Sequence, residues 1–80
     1  MWFVYIIKGV ENSFIYIGST NDLKRRLNEH NEGLTQSTKH DAPFEMDAYI
    51  AVKTEGKAKE SEKYFKTGSG KAFLKKRFLI

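Results

Sequence analysis

The chain has 80 residues, 40% of them hydrophobic, with six Phe, four Tyr and one Trp; this supplies one core and excludes a second domain or disorder throughout. Lys and Arg total 14 against 10 Asp and Glu, a formal charge of +4, which ranks acidic partners above basic ones and nucleic acid ahead of membrane. There is no cysteine, so disulfides and thiolate zinc sites are excluded.

Met1 to Ile7 is apolar, but Lys8 and Gly9 end the run far short of membrane-spanning length. Neither a basic leader nor a small-residue cleavage site accompanies it. The expectation is a soluble, cytoplasmic protein with one domain over residues 1–80. Trp2 to Ile7 is β-branched and aromatic at both alternating sets of positions, which predicts a strand covered on both faces. Phe14 to Ile17 predicts a second strand, and Gly9-Val10-Glu11-Asn12 carries turn chemistry between them, so the two form a hairpin. With those four residues as the loop, Lys8 pairs with Ser13, and Tyr5 falls directly opposite Tyr16 on the same face.

Gly18 is expected to end the second strand, and Ser19-Thr20-Asn21-Asp22 offers N-caps for a helix. Leu23, Leu27 and Leu34 share one stripe at helical spacing, with Gly33 as the stop. Thr35 to Pro43 is polar and aperiodic, hence a loop. Phe44 to Val52 predicts a third strand with Phe44, Met46, Ala48, Ile50 and Val52 on one face. A second helix is expected from about Lys57 to Lys66, with Gly68 past its end. Ser69 then caps a short third helix in which Phe73 and Phe78 pack inward. The fold class is α/β in the order ββαβαα, with helices packed around a small three-stranded sheet. The hairpin prevents that sheet from being purely parallel.

At about 100° per residue, His30 falls inside the stripe of Leu23 and Leu27 and Arg26 lies at its edge, whereas Lys24 and Arg25 point to solvent. On the second helix Glu62 falls on the stripe of Ala58 and Phe65, and Glu60 faces water. An acid on an apolar stripe needs a partner or a metal. Each polar residue has a purely structural reading. Tyr5 and Tyr16 are then a packed ring pair, His30 a satisfied core histidine, and Arg26 and Glu62 an ion pair. Five such groups converging on one small core are, however, what a site looks like.

Phe3-Val4-Tyr5 followed by Tyr16-Ile17-Gly18 resembles the paired motif that names the GIY-YIG nuclease family. The likeness continues through Gly18-Ser19-Thr20-Asn21-Asp22-Leu23-Lys24-Arg25-Arg26, His30 and Glu62-Lys63-Tyr64-Phe65-Lys66. It runs from Trp2 to about Phe78 and resembles the compact stand-alone members. Phe3 replaces the first glycine of the motif, and no asparagine follows Asn31, although some relatives carry one after the glutamate.

The resemblance implies a metal-dependent DNA endonuclease with Tyr5, Tyr16, Arg26, His30 and Glu62 as catalytic residues. Two-metal nucleases need clustered carboxylates, and one inward-facing acid suits a single Mg²⁺ or Mn²⁺ held by Glu62, phosphate and water. Similarity to the family gives Tyr5 the proton of the attacking water with Tyr16 assisting, the reverse assignment staying open. Arg26 would stabilise charge on the phenol or phosphate and lower the phenol's pKa, and His30 would accept a proton.

Candidate substrate contacts are Gly18, Ser19, Lys39, His40 and Lys71, with Gly68-Ser69-Gly70-Lys71 either a phosphate-facing helix start or a plain connection. Lys75, Lys76 and Arg77 are candidates for nonspecific phosphate contacts. The partner is DNA, branched or single-stranded forms included, and structure selectivity is an open expectation. The alternatives are a non-catalytic nucleic-acid-binding module of the same fold and a protein-interaction domain with a basic face.

Overall fold

In the computed structural model, which describes residues 1–77, the first apolar run forms β1 (Trp2–Gly9). It is the central strand of an antiparallel sheet in the order β2-β1-β3. β2 (Ile15–Thr20) and β3 (Phe44–Val52) flank it, and α1 (Leu23–Asn31), α2 (Glu55–Phe65) and α3 (Gly68–Arg77) complete the expected ββαβαα order. Val4 to Ile7 are each at most 2% exposed, as a strand covered on both faces requires. Val4 and Ile6 join Ile17, Ala58, Phe65 and Leu74 in a core under α2 and α3. Tyr5 and Ile7 point the other way, to Phe44 and the α1 residues Leu23 and Leu27.

The hairpin sits two residues away from the expected register. Tyr5 pairs with Gly18, and Tyr16 with Ile7. The loop is residues 10–13, closed by Gly9 N–H donating to the Phe14 carbonyl at 2.9 Å. Asn12 accounts for the difference: its Oδ1 accepts from Phe14 N–H at 2.9 Å, and its amide lies where any Cβ on Gly9 would be. A two-residue shift preserves the face of every side chain. The tyrosines therefore stay on one face, diagonal rather than opposite, with ring centroids 6.4 Å apart. β2 also continues past Gly18 to Thr20.

The single apolar face expected of β3 is divided. Ile6 pairs with Ala48 but Ile7 with Met46, so Asp47 is an extra residue at a bulge. A bulge reverses the alternation beyond it. Ala48, Ile50 and Val52 pack under α2, whereas Phe44 and Met46 pack under α1.

Asp22 caps α1 by accepting from Arg25 N–H at 3.1 Å. The helix closes with Gly33 at φ 75°, Gly33 N–H donating to His30 O at 3.2 Å and Leu34 N–H to Glu29 O at 3.0 Å, a Schellman motif. Leu34 is thereby thrown off the helix and is 69% exposed, so the stripe consists of Leu23 and Leu27 alone. The expected loop from Thr35 to Pro43 contains a 3-10 turn over Lys39–Asp41 and one fully buried residue, Thr38.

The cap of α3 is Thr67, not Ser69: its Oγ1 accepts from Gly70 N–H at 3.1 Å. Leu74 is the buried residue of this helix at 1% exposure, while Phe73 remains 41% exposed and stacks on Phe65. Phe78, also expected to pack inward, lies outside the described residues. Among the described residues no helix is long and apolar enough to cross a membrane.

Gly70 is where α3 meets α2: a Cβ there would collide with the Tyr64 carbonyl and the Phe65 Cα. Gly70→Ala must push the helices apart and is expected to destabilise the fold by about 1–3 kcal/mol. Nothing lies near a Cβ at Gly68, so Gly68→Ala leaves stability unchanged or raises it by up to about 1 kcal/mol. Urea denaturation of both variants checks the contrast.

Candidate active site

The middle of the central strand is where the sheet carries its buried phenol. Tyr5 is 1% exposed, and its ring extends over Gly18 of β2, where any Cβ would strike the Tyr5 Oη and Cζ atoms. Glycine at 18 thus opens the path that the hydroxyl takes toward α1. Arg26 and His30 are four residues apart on that helix and so share the face that meets it. Tyr5 Oη lies 2.8 Å from His30 Nε2 and accepts from Arg26 Nε–H at 3.3 Å.

The network continues into the loop after α1. His30 Nδ1 lies 2.7 Å from Thr38 Oγ1, and Thr38 has the Thr35 carbonyl 3.5 Å away as its own acceptor. A carbonyl only accepts and a guanidinium only donates. Every donor therefore finds an acceptor when Thr38 O–H donates to Thr35, His30 Nδ1–H donates to Thr38, and Tyr5 O–H donates to the bare Nε2. His30 is fully buried, and its pKa falls to about 4, through burial first and then the Arg26 charge. The imidazole is neutral. Burial likewise pushes the Tyr5 phenol up to about 12, outweighing the hydrogen bond and charge of Arg26. The lowered tyrosine pKa anticipated from Arg26 is therefore not a property of the folded protein by itself.

Glu62 reaches the site from the other side of the sheet. Its carboxylate accepts from Ser19 Oγ at 2.7 Å and from Lys66 Nζ at 2.9 Å, with a side chain 19% exposed. Burial acts to raise its pKa, but the hydrogen bonds from Lys66 and Ser19 outweigh that and hold it below the usual value. Arg26 is paired instead with Glu29 at 3.0 Å, so the ion pair between Arg26 and Glu62 does not exist. The two halves meet around the edge strand β2. Lys66 Nζ stands 5.6 Å from the centre of the Tyr16 ring, and the charge of Glu62 is felt by Tyr5.

Tyr16 is half-buried, and its ring packs 5.1 Å from that of His30. Among the described residues no hydrogen bond reaches its hydroxyl. The structure thus brings together Tyr5, Tyr16, Arg26 and His30 on one face and Ser19 with Glu62 on the other, with Gly18 between them. Lys39 and His40 are exposed on the 3-10 turn. Lys71 is exposed on α3 and lines a groove with Ile15, Ile17 and Lys75 on the α2 face. The run from Gly68 to Lys71 is the first turn of α3, and its Gly70 amide is already taken by Thr67.

Three participants escaped the sequence reading. Glu29 and Lys66 carry a signal, three and four residues from Arg26 and Glu62 on their helices. Thr38 carries none, because nothing in an aperiodic polar loop marks the one residue that turns inward. Among the described residues no three His, Asp or Glu side chains gather as a metal cage. A lone half-buried carboxylate fits an ion that takes its remaining ligands from water and phosphate and does not fit a caged pair.

The GIY-YIG catalytic domain family matches residues 1–77. UPF0213 protein YazA of Bacillus subtilis (strain 168) is 38% identical over 65 residues, which cover 80% of this chain and 65% of that protein. A UPF0213 protein of Vibrio campbellii (strain ATCC BAA-1116) is 32% identical over 66 residues, 81% of this chain and 62% of that protein. The chain spans a little under two thirds of the length of these curated relatives. No solved structure gives a significant match.

The depressed His30 pKa has a consequence for stability. Unfolded, the imidazole titrates near the ordinary 6.5; folded, near 4. The unfolded chain therefore binds more protons between those values, and the contribution of neutral His30 is complete above about pH 6.5 and is lost as pH falls toward 4. The expected loss is about 3 kcal/mol. Denaturant midpoints measured from pH 7.5 to 4 should fall steeply for the native chain and less steeply for His30→Gln.

Proposed function

The chain belongs to the GIY-YIG family, and from that premise we propose that it is an endonuclease hydrolysing DNA phosphodiesters with one divalent ion, Mg²⁺ or Mn²⁺. The observation that supports this reading most directly is the hydrogen-bonded row Arg26–Tyr5–His30, because a phenol acting as a base needs somewhere to send its own proton. At about pH 7 a tyrosine with a pKa near 12 is a phenolate in only about one molecule in 10⁵. A standing phenolate is thus scarce. Tyr5 instead accepts a proton from the attacking water while its original proton moves to the bare Nε2 of neutral His30, 2.8 Å away.

Arg26, shared between Glu29 and the Tyr5 oxygen, stabilises negative charge on the phenol or on the phosphate beside it. The ion, when bound by Glu62, would supply charge neutralisation at the phosphate. Glu62 is kept ionised for this role by Ser19 and Lys66. Tyr16, whose hydroxyl has no hydrogen-bond partner among the described residues, positions the water or a phosphate oxygen. Gly18 and Ser19 border the approach, and the exposed Lys39, His40 and Lys71 contact the strand backbone, with Lys75, Lys76 and Arg77 adding nonspecific attraction. Selectivity for branched or single-stranded DNA belongs to the same proposal, since no base-reading helix is evident among the described residues.

A second assignment exchanges the tyrosines. Tyr5 is 1% exposed while Tyr16 is half-buried, which favours Tyr16 for direct contact with water. Cleavage of a panel of linear, nicked, flapped and four-way DNA, with Mn²⁺ or a chelator, tests the whole reading. The expected outcome is metal-dependent cutting that is abolished in Glu62→Gln while DNA binding by anisotropy survives, and a rate lower by about 10²–10⁴-fold in Tyr5→Phe. A larger loss in Tyr16→Phe would exchange the two roles. Cutting by both Glu62→Gln and Tyr5→Phe at the native rate would refute the mechanism, and binding without cutting by the native chain would leave a nucleic-acid-binding module.

A further inference from the structure

Thr38 is the only fully buried residue between Thr35 and Pro43, and the segment is folded around it. Its amide donates to the Thr35 carbonyl at 3.1 Å, and its own carbonyl accepts from Asp41 N–H at 3.0 Å. The hydroxyl is thereby carried inward to 2.7 Å from His30 Nδ1. The rest of the imidazole is enclosed by the rings of Tyr5, Tyr16 and Phe44. Among the described residues, Thr38 is thus the polar group on the side of His30 facing away from Tyr5.

We propose that Thr38 is a positioning residue of the reaction, holding His30 as the Nδ1–H tautomer so that Nε2 stays open to receive the Tyr5 proton. This rests on the proton path from Tyr5 to His30 proposed above. Remove the hydroxyl and Nδ1–H has no acceptor in a fully buried setting, which favours moving the proton to Nε2. Nε2–H and Arg26 Nε–H would then both donate to the Tyr5 oxygen, and the Tyr5 proton would have no acceptor. The imidazole would remain in place with its polarity reversed.

The chain contains two histidines, His30 and His40, so ¹⁵N NMR of the imidazole rings, assigned with His40→Gln, reads the tautomer without DNA or metal. The native chain should carry the His30 proton on Nδ1. Thr38→Val, of nearly the same shape, should move it to Nε2 and slow cleavage by about 10–100-fold, by analogy with the loss of a partner that orients a metal-bound imidazole. Thr38→Ser should restore both tautomer and rate.

A native Nε2–H tautomer would overturn the proposal even if Thr38→Val failed to fold, as would an unmoved tautomer in Thr38→Val. A tautomer that follows the hydroxyl while the cleavage rate stays constant overturns the positioning role through the proton path, and leaves the placement of the proton in the folded chain intact. Failure of the inference and failure of the Tyr5–His30 pathway are thus read by different signals.

Discussion

A hydroxyl buried in the middle of the central strand has to be hydrogen-bonded, because an unsatisfied one costs about 1–3 kcal/mol. Tyr5 places that requirement at the crossing of β1, β2 and α1. Much of the surrounding structure answers it. Gly18 has no side chain where the ring passes, Arg26 and His30 present a donor and an acceptor, and Thr38 completes the far side of the imidazole. Among the described residues no buried side-chain nitrogen or oxygen lacks a partner. A row of this kind rigidifies a core when every member is satisfied, and in the proposed mechanism it is also the route for a proton.

The helix that supplies two members of the row is held in place by the bulge in β3. Without the extra residue at Asp47, Phe44 and Met46 would point toward α2, and Leu23 and Leu27 would have little to cover. With it, α1 gains its own small core. Asn31 then ties the end of α1 to the start of β3, donating to the Phe44 carbonyl at 3.1 Å and accepting from the Phe44 N–H. The side-chain amide substitutes for a strand neighbour, and the rotation of α1 that aims Arg26 and His30 at Tyr5 follows from that anchorage.

The site is therefore divided by the sheet. Phenols, guanidinium and imidazole lie on the α1 face, the carboxylate on the α2 face, and they approach each other only because β2 is an edge strand. Lys66, bonded to Glu62 and poised over Tyr16, marks where the two halves meet. An edge strand exposes its outer rim to whatever approaches, and under the proposed function a phosphate arriving there would touch both sides of the sheet at once.

Much of this was legible in the residues themselves. Composition, turn chemistry and periodicity together located all six elements, and helical periodicity turned His30, Arg26 and Glu62 inward, because a helical residue's direction depends only on its position along its own helix. The common face of Tyr5 and Tyr16 survived a register error for a similar reason, since a shift of two leaves alternation intact. Asn12 folding over Gly9 and Asp47 bulging out of β3 left no comparable trace: each depends on contacts with a neighbouring strand or loop.

Direction along an element is thus a property of the sequence, and the polar inventory of the site came with it. Which of those groups touch was decided by tertiary structure. Arg26 finds Glu29, Glu62 finds Lys66, and His30 finds a threonine in a segment with no period to read. Hydrogen bonds act over about 3 Å, and that precision belongs to the packed chain, not to the spacing of its residues.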